Sequence, residues 1–196
     1  MVYLSPKHVI FGGMLLSVCL LNSSPAASYK AFQSRDRHIV TLSGRFESGE
    51  SYRFQQFLAN HKNTQFILLQ SNGGSINEAM KVGRIIHQNS LNTLVETYCY
   101  SSCFVVLMSG QIRYVYENAY LGVHQPYFVR KNEWVGDKKH SSTYDHLTQY
   151  FQFMLGNRQQ SQEVVNLIYK TPPNSMHQIN HAEPYLKLHY YSHPTL

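Results

Sequence analysis

Ser101, His124 and the pair Gly73-Gly74 are the residues of this sequence whose types and spacing suit acyl transfer. Ser101 sits in Tyr98-Cys99-Tyr100-Ser101-Ser102-Cys103-Phe104-Val105-Val106-Leu107-Met108, where a strand-like run gives way to an apolar helical run at a polar knuckle. A serine hydroxyl is a useful nucleophile only when a neighbouring base takes its proton. His124, at the end of Tyr120-Leu121-Gly122-Val123, arrives on a separate strand and is the candidate base. Ser71-Asn72-Gly73-Gly74 closes another apolar run, Phe66-Ile67-Leu68-Leu69. Glycines there let backbone N–H groups point at a developing oxyanion without side-chain obstruction. Gly74 opens a helix whose dipole favours negative charge, and the N–H of Ser102 supplies a second donor. The bland alternatives are a helix-capping Ser101, a hydrogen-bonded core His124 and an ordinary strand-to-helix turn at Gly73-Gly74.

Two other pairs have chemical potential. Cys99 and Cys103 flank Ser101, and in an oxidising compartment they can bond, enclosing the serine in a small covalent ring. Such a loop constrains the unfolded chain by only about 2 kcal/mol, so its interest is positional. Two buried thiols packed as small hydrophobes are the other reading. His177 and His181 are four apart, a metal-ligand spacing on a helix, but a site needs convergence and usually a third ligand. With 11 His in the chain such pairs arise by chance, and no metal site is expected.

These groups need elements to hold them. Arg37 to Phe46 reads as a strand ending in a glycine turn, and Ser48 as the cap of a helix bearing Tyr52, Phe54, Phe57 and Leu58. Phe66–Leu69 is continuously apolar, as in a strand buried on both faces. Ser75 is placed to cap a helix whose Ile76, Ala79, Met80, Gly83 and Ile86 share one face. Leu94 to Thr97, Ile112 to Tyr116 and Tyr120 to Val123 read as further strands, with a helix over Phe104–Met108 between the first two. Gln125 to Ser141 is polar and basic and reads as a loop or flap. Helices are predicted over Thr143–Leu155 and Gln162–Tyr169, then a short helix around Ala182–Leu186 and a strand-like Leu188–Tyr191. Strands alternating with helices at this pace predict an α/β layered fold, and 196 residues suit one domain.

Residues 1–27 differ in kind from the rest. Lys7 and His8 precede the apolar stretch Val9 to Leu21, and small residues from Ser23 to Ser28 follow. That is the layout of a secretory signal, cut after Ala26 or Ala27, which leaves a domain over 28–196 and a periplasmic or secreted product. The stretch is short of the ~20 residues a membrane-spanning helix needs; an uncleaved anchor is the alternative. Without Cys19, an even pair of cysteines remains. The net charge of +6 and pI of 9.2 invite a nucleic-acid reading. The basic residues are scattered, however, and the only cluster is Arg130-Lys131 with Lys138-Lys139-His140, so no nucleic-acid partner is expected.

At Leu69-Gln70-Ser71-Asn72-Gly73-Gly74-Ser75, Cys99-Tyr100-Ser101-Ser102-Cys103, Ser109-Gly110 and Val123-His124-Gln125-Pro126 the chain resembles the ClpP/crotonase superfamily, and more closely its exported branch of small ClpP-like periplasmic proteins. The resemblance runs from about Ile39 to Leu188. It implies Ser101 as nucleophile, His124 as general base, and the N–H groups of Gly74 and Ser102 as oxyanion hole. Asn72 stands where the family's proteases have proline. The family's acidic third member should fall within Asn174-Ser175-Met176-His177, where there is no Asp or Glu. Asn174, a water or a main-chain carbonyl is left to orient His124.

The expectation is therefore an exported, single-domain serine hydrolase of ClpP/crotonase-like α/β fold, acting on peptides, unfolded protein segments or another acyl substrate. No cofactor is implied, and a compartment without ATP leaves no role for an ATPase partner; a homo-oligomer is one possible assembly. The rivals are a catalytically silent binding or assembly protein of the cell envelope with the same fold, and a redox-responsive module using Cys99 and Cys103.

Overall fold

The computed structural model describes residues 26–192; the leader expected over 1–27 lies outside the described residues apart from Ala26 and Ala27. In chain order the elements are β1 (Ser28–Ser34), β2 (Arg37–Ser43), α1 (Glu50–Ala59), β3 (Phe66–Ser71), α2 (Ile76–Gln88), β4 (Asn92–Tyr100), α3 (Ser102–Leu107), β5 (Arg113–Tyr116), β6 (Tyr120–Val123), β7 (Tyr127–Arg130), β8 (Glu133–Gly136), α4 (Ser142–Leu155), α5 (Arg158–Lys170), β9 (His177–Ile179), a 3-10 turn Pro184–Leu186 and β10 (His189–Tyr191). The main sheet runs β1-β2-β3-β4-β5-β10. From β2 to β10 the neighbours are parallel, and β1 is antiparallel to β2.

The sheet forks at β4. Its first half, Thr93–Val95, pairs with β5, and its second half, Tyr98–Tyr100, pairs with β6. β6 in turn carries β9 antiparallel on its other edge. The fork is what delivers the site, because β4 ends at Ser101 and β6 ends beside His124.

The starts of α2, α4 and α5 follow the expected capping chemistry, and those of α1 and α3 do not. Ser75 Oγ accepts from the N–H of Glu78 at the head of α2, and Ser141 Oγ from that of Tyr144 at the head of α4. Ser48 does not cap α1. Gly49, with φ +80, occupies that position, and the carboxylate of Glu78 takes the N–H and hydroxyl of Ser51 at 2.9 and 2.8 Å. α2 thus caps the helix before it, which no local pattern reveals. α5 begins four residues before the expected Gln162, because Asn157 caps it through the N–H of Gln160. Gly156, left-handed at φ +63, ends α4 immediately before.

α3 is buried along its whole length, and Tyr150 of α4 pins it by donating to the carbonyl of Val105 at 2.9 Å. The slot for that ring exists because residue 83 is glycine: a Cβ there would lie 1.9 Å from the Tyr150 hydroxyl.

Four strands were not expected. β1 is a mostly exposed edge strand. β7 and β8 form a separate exposed hairpin within the stretch read as a flap. β9 contains His177, so the presumed helical spacing of His177 and His181 does not exist. His177 bonds Glu183 at 2.9 Å, and the His181 ring lies 3.8 Å from that of Tyr190. The short helix expected around Ala182–Leu186 is only the 3-10 turn.

Candidate active site

β4 passes into α3 through a single residue, Ser101, whose backbone stands at φ +56, ψ −126. Residues with a Cβ avoid that region, and its occupancy stores strain at this sharp strand-to-helix turn. The conformation is held from both sides. The N–H of Ser101 donates to the carbonyl of Gly122 on β6 at 2.8 Å, and its carbonyl accepts from Phe104 at 3.0 Å. Cys99 and Cys103 are joined in a disulfide across the turn, with Cα atoms 5.3 Å apart. The Ser101 side chain caps nothing, leaving its half-buried hydroxyl for other work.

The glycine turn lies against this elbow. A Cβ on Gly73, which has φ +93, would sit 2.8 Å from the Ser101 Cβ and 2.9 Å from the Tyr100 carbonyl. At Gly74, φ +142, a Cβ would sit 2.3 Å from the carbonyl of Phe46. Only glycine permits both approaches. Ser102 Oγ ties the two segments together by donating to the Gly74 carbonyl at 3.2 Å.

Phe46 pairs with the turn as a parallel strand would: its N–H donates to Gly73 and its carbonyl accepts from Ser75. That pattern skips the N–H of Gly74. The N–H of Ser102 is the first of α3 and has no intrahelical acceptor. Among the described residues, neither N–H is bonded to a protein acceptor.

His124 follows β6 directly. Its Nδ1 is 2.9 Å from the carbonyl oxygen of Gln125. A carbonyl only accepts, so this contact puts the ring proton on Nδ1 and leaves Nε2 with its lone pair.

A cleft of about 370 Å³ brings these groups together. Gly74, Ser101, Ser102 and His124 all line it, with Asn72 and Ser75 beside them. Ile76, Val105, Val123 and Ile168 form apolar walls. Asn174 is elsewhere: it is exposed and lines a separate cavity with Gln125, Trp134 and Asp137. The partner of His124 Nδ1 is main chain, one of the options left open once no carboxylate was found.

Sequence reasoning missed Arg45, which also lines the cleft, and Tyr127, whose ring is 5.7 Å from that of His124. Arg45 follows a glycine at a strand end, and its position beside the glycine turn was the available signal. It missed too the anchoring of the hairpin. Asp137 accepts from the hydroxyl of Tyr169 on α5 at 2.6 Å, and its main chain receives the Gln125 side-chain amide.

No family model and no curated protein matches this sequence. Solved structures do. The chain is similar to a mutant of the 1510-N membrane-bound stomatin-specific protease, with a TM-score of 0.56 and 12% identity over 76% of each chain. A second mutant of that protease, in complex with a substrate peptide, gives 0.52 and 13% over 71% of this chain and 68% of the other. At such identity the likeness is one of fold, and in fold this chain is a single α/β domain with a ClpP/crotonase-like layered sheet.

Proposed function

We propose that this protein is an exported, ATP-independent serine hydrolase, most fittingly a peptidase, working through Ser101 and His124. The observation that carries the reading is the strained Ser101 elbow in one cleft with His124 and with two backbone N–H groups free of protein acceptors. In this reading Ser101 Oγ attacks a carbonyl carbon while its proton passes to His124 Nε2. The N–H groups of Gly74 and Ser102 donate to the oxyanion of the tetrahedral intermediate. His124 returns the proton to the leaving amine as the C–N bond breaks, and water then hydrolyses the acyl-Ser101 ester by the same route in reverse. Substrates are peptides or unfolded segments narrow enough for the cleft. Export is supported by the Cys99–Cys103 disulfide, since oxidising compartments preserve such bonds, and by the signal-like layout of residues 1–27. Among the described residues no helix is long and apolar enough to cross a membrane.

A second reading, a silent binding or assembly protein of the envelope, is favoured by one observation. The group orienting His124 is a neutral carbonyl, which stabilises an imidazolium less than a carboxylate does. A fluorophosphonate probe separates the two. The hydrolase labels at Ser101, and Ser101→Ala abolishes the label; a folded protein that takes no label, oxidised or reduced, is the silent scaffold.

A further inference from the structure

The cleft beside Ser101 is lined by one permanently charged side chain. Arg45, in the link between β2 and α1, shares it with Ser101 and His124, and among the described residues no carboxylate lines the same space. A guanidinium stays protonated in any protein environment, so this charge is fixed. Its backbone is fixed as well. The next residue, Phe46, is bonded to the glycine turn through both its N–H and its carbonyl. The cation therefore hangs from the same stretch of main chain that sets Gly74.

Among the described residues nothing neutralises it. The ion pairs of the described residues join Arg53 to Glu50, Lys81 to Glu78 and His177 to Glu183; Arg45 is in none of them. Its guanidinium makes no hydrogen bond to a described residue either. A half-buried guanidinium with five donors, no partner and a place in a substrate cleft is a receptor for an anion. Around it the walls are apolar, Ile76, Val105 and Ile168 among them, and they suit the carbon skeleton that would bear the charge.

We infer that Arg45 is the specificity anchor of this cleft and binds a carboxylate of the substrate, so that the preferred acyl chains are acidic peptides. The carboxylate comes either from an Asp or Glu side chain near the scissile bond or from a free C-terminus; both present the same two oxygens to the guanidinium. The inference rests on the peptidase reading for the identity of the ligand, but the anion site itself does not need Ser101 to react.

The test uses three dye-labelled peptides of one sequence. One carries Gln and a C-terminal amide, the second Glu and the amide, and the third Gln and a free C-terminal carboxylate. Their binding to the full folded domain bearing Ser101→Ala is read by fluorescence anisotropy, and their cleavage by the unsubstituted protein is read in parallel. At least one acidic peptide should bind roughly tenfold or more tightly than the neutral one, and which acid gains identifies the source. Adding Arg45→Gln should bring that ratio close to one, and Arg45→Lys should retain part of it. Equal binding of all three peptides, binding of none, or a preference unchanged in Arg45→Gln overturns the inference; if the fluorophosphonate still labels Ser101, the hydrolase reading survives that result. An Arg45-dependent preference in a protein that takes no label does the reverse. It keeps the anion site and removes the hydrolase.

Discussion

Taking the hydroxyl from Ser101 and crowding the glycine behind it should fail in different ways. Ser101→Gly removes the proposed nucleophile but also relieves a backbone that only glycine adopts without cost. Labelling should vanish while the unfolding free energy rises by about 1 kcal/mol, measured in urea. Gly73→Ala should lose both, because its new methyl meets the Ser101 Cβ and the Tyr100 carbonyl at a positive φ. His124→Ala should slow acylation by several orders of magnitude, as loss of the base does where a serine depends on one. Asn174→Ala, exposed and outside the cleft, should change the rate less than about twofold, as surface changes generally do. At this scale the sequence was informative about Ser101, His124 and the glycines, since their chemistry depends on residue type. It was silent on the Gln125 carbonyl, because every residue carries one and only the fold decides which points at a histidine.

Helices and strands respond to their own partners. Burial works against the Glu78 carboxylate, but hydrogen bonds from Lys81 and Ser51 outweigh it and hold the group down at about 2, against an ordinary 4.5. A depressed carboxyl stabilises the fold above its unfolded value and loses that contribution as pH falls through the folded one. Glu78→Gln should therefore cost about 1–3 kcal/mol near neutral pH, as charged hydrogen bonds do. The gap to the unsubstituted protein should close as pH falls from 4.5 towards 2. Glu50 acts in the opposite sense, because burial raises its carboxyl and makes the charged form the costly one. The elbow disulfide has its own signature: thiol alkylation should find Cys99 and Cys103 only after reduction, with about 2 kcal/mol of stability lost alongside. Elements with strong apolar patterns, such as β3 and α2, were legible in advance. β1, β9 and the β7–β8 hairpin were not, because exposed or three-residue strands exist through their neighbours rather than through a pattern of their own. α5 was read short because its first turn is polar and its apolar stripe begins only at Val164.

Across the whole molecule, the layering of strands and helices was legible from their alternation, whereas the branching of the sheet was not. Nothing in Asn92–Tyr100 announces that one strand will change neighbours halfway. The packing that backs the site is tight where α2, α3 and α4 meet, and Gly83→Ala should cost about 1–3 kcal/mol by overfilling the slot for Tyr150, read as a lowered melting temperature. The branch itself has a consequence for how the molecule breathes. β3 and the first half of β4 are bonded on both edges, whereas β6 is held by three residues of β4, three of β9 and the N–H of Ser101. Native-state amide exchange should therefore resolve two cooperative units: a slow trunk that opens only on global unfolding, and a faster limb of β6 and β9 that opens below it. Ser101 belongs to the trunk and His124 rides on the limb. Each excursion of the limb would part His124 from Ser101, so, under the proposed hydrolase function, its opening free energy caps the fraction of molecules poised to react at any moment.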